Sequence, residues 1–246
     1  GIRIDRWSLT AAAAASPWTQ GTFELGRGLT LRGGAGMYRQ MAEADQVIGL
    51  RGNRSLEPSR SVQADLGIQG RIGSHVRWQV TGYNREDRDW LRLPLAEVKL
   101  VGTSVLSPST VTAWQNALDG YARGVEWLVE RHADRGVGGW LSYSYGVNRY
   151  KDHISGERFW GDYDQRHTFN AFGSYRLSDR TSASVRFRMG SNTPAPGYWT
   201  SRNGLYYVSS TRNDLRIPGY ARLDIRANRT FTRKQGRLTL FVEVLN

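Results

Sequence analysis

Alternation of apolar and polar residues between Gly120 and Tyr150 is the feature that most limits what this chain can fold into. Val125, Trp127 and Val129 occupy every second position, and another alternating run follows after residues 133–135. A period of two residues indicates β-strands, and a break this short joins antiparallel neighbours. Each run exceeds the roughly 9 to 11 residues that a tilted strand needs to cross a bilayer. The apolar stripe therefore meets either a protein core or lipid.

The composition indicates a folded chain without disulfides. Its 246 residues are 39% hydrophobic and 11% aromatic, which supplies enough apolar material to bury. The 34 Lys and Arg residues exceed the 22 Asp and Glu residues and give a formal net charge of +12. These cations are spread along the chain and do not cluster, so nucleic acid is not predicted as a partner. Because cysteine is absent, disulfides and thiolate metal sites are excluded.

No run of about 18 apolar residues predicts a transmembrane helix. The mean hydropathy of −0.55 is that of a soluble protein, but a transmembrane barrel has a similar value because only alternate residues face lipid. The chain begins at Gly1, and the alanine run Ala11 to Ala15 is too short for a signal peptide. We therefore expect that a targeting segment was removed or that the sequence is part of a longer protein.

Period-two alternation recurs along the chain and predicts about eleven strands. They fall in residues 1–9, 18–26, 29–41, 61–70, 75–85, 120–132, 136–150, 167–177, 181–189, 219–231 and 237–246. A loop ending at Ser16 and Pro17 is expected to separate the first two strands. Residues 87–118 are expected to be the longest connection, with one helical turn around Val111 to Leu118.

Tight turns alternate with long connections, which puts all tight turns at one end of the strands. Outer-membrane barrels show this arrangement, with short periplasmic turns and long extracellular loops. The sequence thus predicts an all-β, antiparallel up-and-down transmembrane β-barrel, partial, with about eleven strands of a larger barrel. A soluble β-sandwich is the alternative. Aromatic residues near strand ends fit interfacial girdles or, alternatively, a soluble core: Trp78, Trp90, Trp127, Tyr145, Tyr175 and Phe231.

Charged side chains occupy the strand positions between the apolar ones. In a barrel they would face a hydrated lumen, where opposite charges on neighbouring strands can pair; in a sandwich they would face water. The predicted lumen-lining residues are Arg77, Glu126, Glu130, Arg176, Arg186, Arg188, Arg222, Asp224, Arg226 and Glu243. The stripe predicted to meet lipid consists of Val125, Trp127, Val129, Leu141, Tyr143 and Tyr145.

Five stretches resemble the C-terminal barrel half of TonB-dependent outer-membrane receptors. They are NRSLEPSRSVQADLGIQG (53–70), NALDGYARGVEWLVER (116–131), GWLSYSYG (139–146), GDYDQRHTFNAFGSYRLS (161–178) and IPGYARLDIRANRTF with LTLFVEVLN (217–246). The first is similar to the family's loop-into-strand signature N-P-x-L-K-P-E-x-S. The resemblance implies a roughly 22-stranded barrel, closed by an N-terminal plug, that takes up ferric siderophores, cobalamin or glycans with energy from TonB.

The chain departs from the family pattern in three respects. Neither a plug domain nor a TonB box is found, the strand number is about eleven where single-chain bacterial barrels have even numbers, and the sequence stops at Asn246 inside a strand pattern. We therefore expect residues 1–246 to form an incomplete C-terminal portion of a receptor-like barrel. The plug and the TonB complex are expected as partners through the missing part of the chain.

Catalytic and metal-binding patterns are scarce. Gly33 to Gly36 is not followed by Lys and lies in a strand pattern, so it does not predict a phosphate loop. The four histidines have no ligand spacing: His75, His132, His153 and His167. Neither an enzyme nor a cofactor is predicted. In the segment 151–164, the side chains of Asp152, His153, Glu157, Asp162 and Asp164 could gather around calcium, although a solvated extracellular loop is favoured over a metal site.

Aromatic residues of two long loops are the candidate ligand-binding groups, because aromatic rings stack on sugars, on catecholate rings and against cations. They are Trp160, Tyr163, Tyr198, Trp199, Tyr206 and Tyr207. Packing among the loops themselves or against lipid headgroups remains the alternative.

The sequence as a whole predicts an outer-membrane receptor and transporter fragment. A passive porin or adhesin-like barrel that is not coupled to TonB is the alternative. The expected location is the bacterial cell outer membrane, and the expected partners are outer-membrane lipid, lipopolysaccharide and a small-molecule or glycan substrate.

Overall fold

A computed structural model describes residues 1–133 and 136–246. These residues form eighteen strands and one short helix, α1, which spans Ala44–Ile48. The strands are β1 (Ile2–Trp7), β2 (Ala12–Gly26), β3 (Leu29–Gln40), β4 (Ser59–Ile72), β5 (Val76–Arg92), β6 (Lys99–Val101), β7 (Ser104–Leu106), β8 (Gln115–Arg131), β9 (Gly136–Asp152), β10 (Arg158–Trp160), β11 (His167–Ser178), β12 (Thr181–Gly190), β13 (Thr193–Pro194), β14 (Trp199–Arg202), β15 (Leu205–Val208), β16 (Arg216–Ile217), β17 (Tyr220–Arg233) and β18 (Gly236–Val244).

Eleven strands follow one another in a single antiparallel sheet, in the order β1-β2-β3-β4-β5-β8-β9-β11-β12-β17-β18. The small strand β10 adds to one end of β9. Each strand pairs with its neighbours in that order, and β1 and β18 lie at the two ends, which is an up-and-down meander without Greek-key crossings. The predicted all-β, antiparallel up-and-down barrel architecture of eleven strands is therefore confirmed.

All the long connections lie at the same end of the sheet, which we call the loop rim. They comprise residues 41–58, 93–114, 153–166 and 191–219, and the opposite end, the turn rim, carries connections such as residues 27–28, 73–75, 179–180 and 234–235. Strand β8 ends and β9 begins at the turn rim, and the turn predicted at Ala133 to Arg135 falls partly on Asp134 and Arg135, which lie outside the described residues.

Three expectations about the connections were wrong. Ser16 and Pro17 lie inside β2, because the alanines before them pair with β1, and the turn occupies residues 8–11. The longest connection is 191–219, since β5 and β8 extend far into the predicted loop 87–118. The helical turn is α1 in the first long loop, whereas the region of Val111 to Leu118 leads into β8.

Helix α1 forms where a capping box meets a small apolar cluster. The backbone N–H of Glu43 donates to Oε1 of Gln46 at 2.7 Å, and the Glu43 side chain accepts from the N3 backbone in return. Val47 is 2% exposed and packs with Ala42 and Leu56. Two reciprocal hydrogen bonds satisfy N–H groups that a helix start leaves unpaired, so five residues suffice here.

The registers give the sheet two chemically distinct faces. Residues directly opposite each other on neighbouring antiparallel strands share a face. One row runs Arg77, Glu130, Trp140, Phe172, Arg186, Asp224 across six strands, and we name this side the charged face. The row Val80, Trp127, Tyr143, Phe169, Met189 belongs to the other side, the apolar face.

The apolar face is open to its surroundings. Trp127 is 41% exposed and Leu141 is 47% exposed. Both belong to a stripe that includes Tyr143, whose ring centroid lies 5.4 Å from that of Trp127. A β-sandwich would bury this face against a second sheet. The exposure of the stripe therefore does not fit the sandwich alternative.

A bulge in β5 places Trp90 on a different face from the one expected for an interfacial aromatic residue. The register of β5 against β8 shifts between Asp87 and Trp90, and Asp89 adopts φ 58°. Trp90 is thereby opposite Leu118, which shares the charged face with Glu126. A bulge reverses the alternation of faces, so Trp90 does not join the apolar face as simple counting from Trp78 would suggest.

Candidate functional site

The long loops at the loop rim are fastened to each other. Loops 41–58 and 93–114 form the first pair. Arg51 of loop 41–58 donates from Nε to the carbonyl oxygen of Thr112 in loop 93–114 at 3.0 Å. Asn53 donates from Nδ2 to the carbonyl of Trp114 at 2.9 Å. Asn53 opens the stretch that resembles the family signature, and here it joins two loops.

Beneath these loops lies a cavity of about 570 Å³, which we name the vestibule. Its walls come from the loop-rim ends of β5, β8 and β9 and from the loops above them. The aromatic lining residues are Trp90, Trp114, Tyr150, Phe159 and Tyr163. Tyr150 lies 6.1 Å from both the Trp90 and the Phe159 ring, measured between centroids. Tilted rings at this spacing form an apolar surface that suits the flat faces of a ligand.

Arg92 is held in place beside the vestibule by two carboxylates. Its guanidinium donates to Asp152 at 2.6 Å and to Glu157 at 3.0 Å, and it also donates to the hydroxyl of Tyr198 at 2.8 Å. The Tyr198 hydroxyl in turn donates to Glu157 at 2.8 Å. The end of β5 is thus linked to loop 153–166 and to loop 191–219.

Arg212 and Asn213 connect three loops. The Nε of Arg212 donates to Glu97 of loop 93–114 at 2.9 Å, and its Nη1 pairs with Asp162 of loop 153–166. Asn213 is fully buried and donates from Nδ2 to Asp162 at 2.7 Å and to the Trp160 carbonyl at 2.6 Å. Buried polar groups of this kind are stable only when their partners are present, so the loops are mutually dependent.

Asp164 forms a third buried centre. Its carboxylate is not exposed, accepts a hydrogen bond from Arg166 Nε at 2.9 Å and pairs with Arg216. It also accepts the backbone N–H of Asn148, from β9, at 2.8 Å. Two guanidinium groups and one strand backbone therefore converge on a single carboxylate.

These contacts change the titration of the loop groups. Burial by itself raises the pKa of Glu157, but hydrogen bonds from Tyr198 and Arg92 and the charge of Lys99 outweigh it and leave this pKa below the ordinary value. Burial opposes ionisation of Asp162 as well, yet Arg212 and Asn213 lower its pKa. Burial and the bond to Glu157 raise the pKa of Tyr198. Glu157 and Asp162 are thus charged at neutral pH, as are their partners Arg92 and Arg212.

The predicted aromatic ligand-binding residues occupy different environments. Tyr163 lines the vestibule and is 91% exposed. Trp160 is stacked by the guanidinium of Arg166 at 4.2 Å from the ring centroid. Tyr198 is 4% exposed, with its hydroxyl engaged as described.

The remaining three aromatic candidates lie on a small hairpin that β14 and β15 form within the last long loop. Trp199 is 40% exposed, Tyr206 72% and Tyr207 47%. This group is accessible but separate from the vestibule lining.

The acidic residues considered for calcium are paired with cations. Asp152 and Glu157 bind Arg92, Asp162 binds Arg212, and Asp164 binds two arginines as described. His153 lies 3.7 Å from Asp119. Among residues 1–133 and 136–246, no group of three or more such side chains is arranged to hold a metal ion.

The ten charged residues predicted to line a lumen fall on the charged face by register. Three pairs are formed within the set: Arg77 with Glu130 at 3.2 Å, Arg222 with Asp224 at 2.7 Å, and Arg226 with Glu243 at 3.9 Å. The other members share this face by strand alternation and comprise Glu126, Arg176, Arg186 and Arg188.

Several residues of the vestibule were not predicted from the sequence. Trp114, Phe159 and Arg212 come from segments that show no periodicity, so nothing in the pattern assigns them a direction. Trp90 and Arg92 follow the register shift in β5, where counting by twos fails. The signal that was available is compositional, since aromatic and arginine residues flank each long connection.

A long antiparallel meander with every long loop at one rim has the architecture of outer-membrane β-barrels. The chain belongs to the TonB-dependent receptor-like β-barrel family, whose model matches residues 1–246. No curated protein sequence matches the chain. No helix in the described part of the chain is long and apolar enough to span a membrane.

Solved structures share the fold at low sequence identity. A mutant of the ferric enterobactin receptor PfeA from Pseudomonas aeruginosa has a TM-score of 0.73 and 17% identity, covering 100% of this chain and 36% of that one. The siderophore receptor PirA from Acinetobacter baumannii has a TM-score of 0.70 and 17% identity, covering 94% and 36%. The FrpB iron transporter from Neisseria meningitidis has a TM-score of 0.67 and 14% identity, covering 95% and 35%. The chain thus spans about a third of the length of these proteins.

Proposed function

We propose that this chain is the C-terminal part of an outer-membrane receptor that captures a scarce nutrient in the vestibule and passes it through the barrel with energy from TonB. The observation that carries the proposal is the vestibule itself, an aromatic cavity of about 570 Å³ held under loops that buried ion pairs fix to each other. A preformed cavity binds a ligand without the cost of ordering its walls.

Family membership supports a transport role and not an enzyme. The similar structures are named as receptors and transporters for iron, for siderophores and, in one case, for copper. We accordingly propose a ferric siderophore, cobalamin or a glycan as the substrate class. Aromatic rings beside guanidinium groups suit the flat and polar surfaces of any of these ligands.

The remaining partners follow from the same proposal. The apolar face contacts outer-membrane lipid and lipopolysaccharide, the charged face lines the lumen, and the long loops lie outside the cell. A plug domain and the TonB complex act through parts of the receptor beyond residues 1–246. No nucleic acid and no cofactor is involved.

Growth on single nutrient sources tests this function. A strain in which the full-length gene is deleted should lose growth on one iron or glycan source, and deletion of tonB should abolish the same uptake. The wild-type gene should restore growth completely. The Trp114→Ala gene should restore it only weakly, because Trp114 lines the vestibule. The Trp127→Ala gene should restore it almost completely, because Trp127 lies on the apolar face. Uptake that persists without tonB would instead support the passive porin or adhesin-like alternative.

A further inference from the structure

Two arginines lie directly opposite each other on the charged face, towards the loop rim. Arg188 of β12 is paired in register with Arg222 of β17. Like charges in direct opposition destabilise a sheet, and such an arrangement is tolerated when an opposite charge lies beside it. Two residues earlier in β12, Arg186 is opposite Asp224.

The carboxylates nearby do not balance these arginines. Asp224 is engaged by Nε of Arg222 at 2.7 Å and is also within electrostatic reach of Arg188. Within the described residues, neither Arg186 nor Arg188 forms an ion pair closer than 4 Å. The Nε of Arg188 is buried and has no hydrogen-bond partner. A buried donor without a partner is uncommon and calls for an explanation such as an absent ligand.

Arg186, Arg188 and Arg222 border a cavity of about 580 Å³. Phe172 is opposite Arg186, Trp140 is opposite Phe172, and their ring centroids are 6.5 Å apart. A flat apolar wall therefore continues directly from the guanidinium groups. We name this arrangement the arginine shelf; it consists of Arg186, Arg188, Arg222, Phe172 and Trp140.

We propose that the arginine shelf binds an anionic oxygen group, a carboxylate or a phosphate, carried on a flat apolar body. Guanidinium groups recognise both anions through paired hydrogen bonds, and the two rings supply the contact for the body. The inference rests on the proposed function in that the shelf would receive the ligand after the vestibule. It narrows the substrate class to ligands that carry negative charge.

Binding of phthalate to the purified full-length protein in detergent tests the shelf. Phthalate has two carboxylates on a ring; phthalamide is its uncharged counterpart, and succinate has the two carboxylates without the ring. By isothermal titration calorimetry, the wild type should bind phthalate at least tenfold more tightly than phthalamide. The double variant Arg188→Gln with Arg222→Gln should bind phthalate at least tenfold more weakly than the wild type.

Three further variants separate the shelf from a general charge effect. Arg77→Gln removes one positive charge from the same face, and should leave phthalate binding within twofold of the wild type because Arg77 is already paired with Glu130. Phe172→Leu should weaken phthalate several-fold and succinate hardly at all. Arg188→Lys keeps the charge but loses the planar fork, and should lie between the wild type and the double variant. Heat-modifiable migration in gels confirms that each variant is folded.

Equal binding of phthalate and phthalamide, no phthalate binding by the folded wild type, or an equal loss in Arg77→Gln would overturn the proposal. If the double variant does not fold, unchanged binding in Arg188→Lys would overturn it as well. Because the titration needs neither TonB nor transport, phthalate binding in a protein that transports nothing would refute the proposed function alone. TonB-dependent uptake of a neutral ligand without phthalate binding would refute the shelf alone.

Discussion

The most buried charge pairs of the loop rim differ from an exposed charge pair on the sheet. The side chains of Arg92 and Asp152 at the loop rim are 15% and 7% exposed, whereas those of Arg77 and Glu130 on the charged face are 46% and 41% exposed. The strands of the sheet are joined by continuous backbone pairing. The loops have little regular structure, so buried ion pairs fix their positions. The strength of this contrast is measurable.

The largest expected effect comes from removing the carboxylate at the most buried loop centre. Asp164→Ala leaves Arg166 and Arg216 without their shared partner and the Asn148 N–H without its acceptor. Breaking a buried pair in this way costs about 3–5 kcal/mol. Hydrogen exchange should show that loss in the opening free energy of residues 153–166 and 191–219.

Asp65→Ala is the matched control on the charged face, where the side chain is exposed. It should change exchange in neither loop by more than about 0.5 kcal/mol. If the two aspartate variants behaved alike, buried charge would not be what fixes the loops.

Asn213→Ala should have the next largest effect. The fully buried amide donates to Asp162 and to the Trp160 carbonyl, and it accepts the Gly197 N–H at 3.2 Å. Buried groups left without a partner cost about 1–3 kcal/mol each. Limited proteolysis should therefore cut loop 191–219 faster in Asn213→Ala, whereas Asn228→Ala, on the sheet, should show the wild-type rate.

Acid should open the loop rim before it affects the sheet. The pKa of Glu157 and that of Asp162 are lower in the folded protein than their ordinary values of 4.5 and 3.8. Their stabilisation is complete above those values and is lost as the pH falls through the folded pKa of each group. Cleavage by pepsin in the loops should thus increase as the pH falls below about 4.

A double variant with Glu157→Gln and Asp162→Asn is the control for this titration. Its loops should be cut at a rate that varies little over the same pH range, because the two groups no longer titrate. Acid-dependent cleavage that is as steep in the double variant as in the wild type would assign the effect to other carboxylates.

The sequence predicted the sheet well because alternation reports directly on which face a side chain occupies. The row from Arg77 to Asp224 follows from counting by twos and from antiparallel pairing. Counting fails at Trp90, because one bulge at Asp89 reverses the faces. It also fails for the alanines of β2, whose strand conformation comes from pairing with β1 and not from their own preference.

The vestibule could be predicted only in part, for a related reason. Loop residues have no periodicity, so the sequence indicated aromatic loop residues such as Tyr163 but not their arrangement. The contact between Arg212 and Glu97 joins residues 115 positions apart. Such contacts depend on the packing of several loops at once, and no local pattern records them.

The smallest expected effect is the coupling between Arg77 and Glu130. A double-mutant cycle with Arg77→Gln and Glu130→Gln should give a coupling of about 0.2–1 kcal/mol, because exposed ion pairs gain little over their hydration. Unfolding in urea with the protein in lipid vesicles would supply the four free energies, and high salt should reduce the coupling further. A cycle with Arg92→Gln and Glu157→Gln, made in the same way, should give a clearly larger value that salt hardly changes. If the Arg77–Glu130 and Arg92–Glu157 coupling energies were equal, burial would not distinguish the loop rim from the sheet. The vestibule would then not be a preformed site.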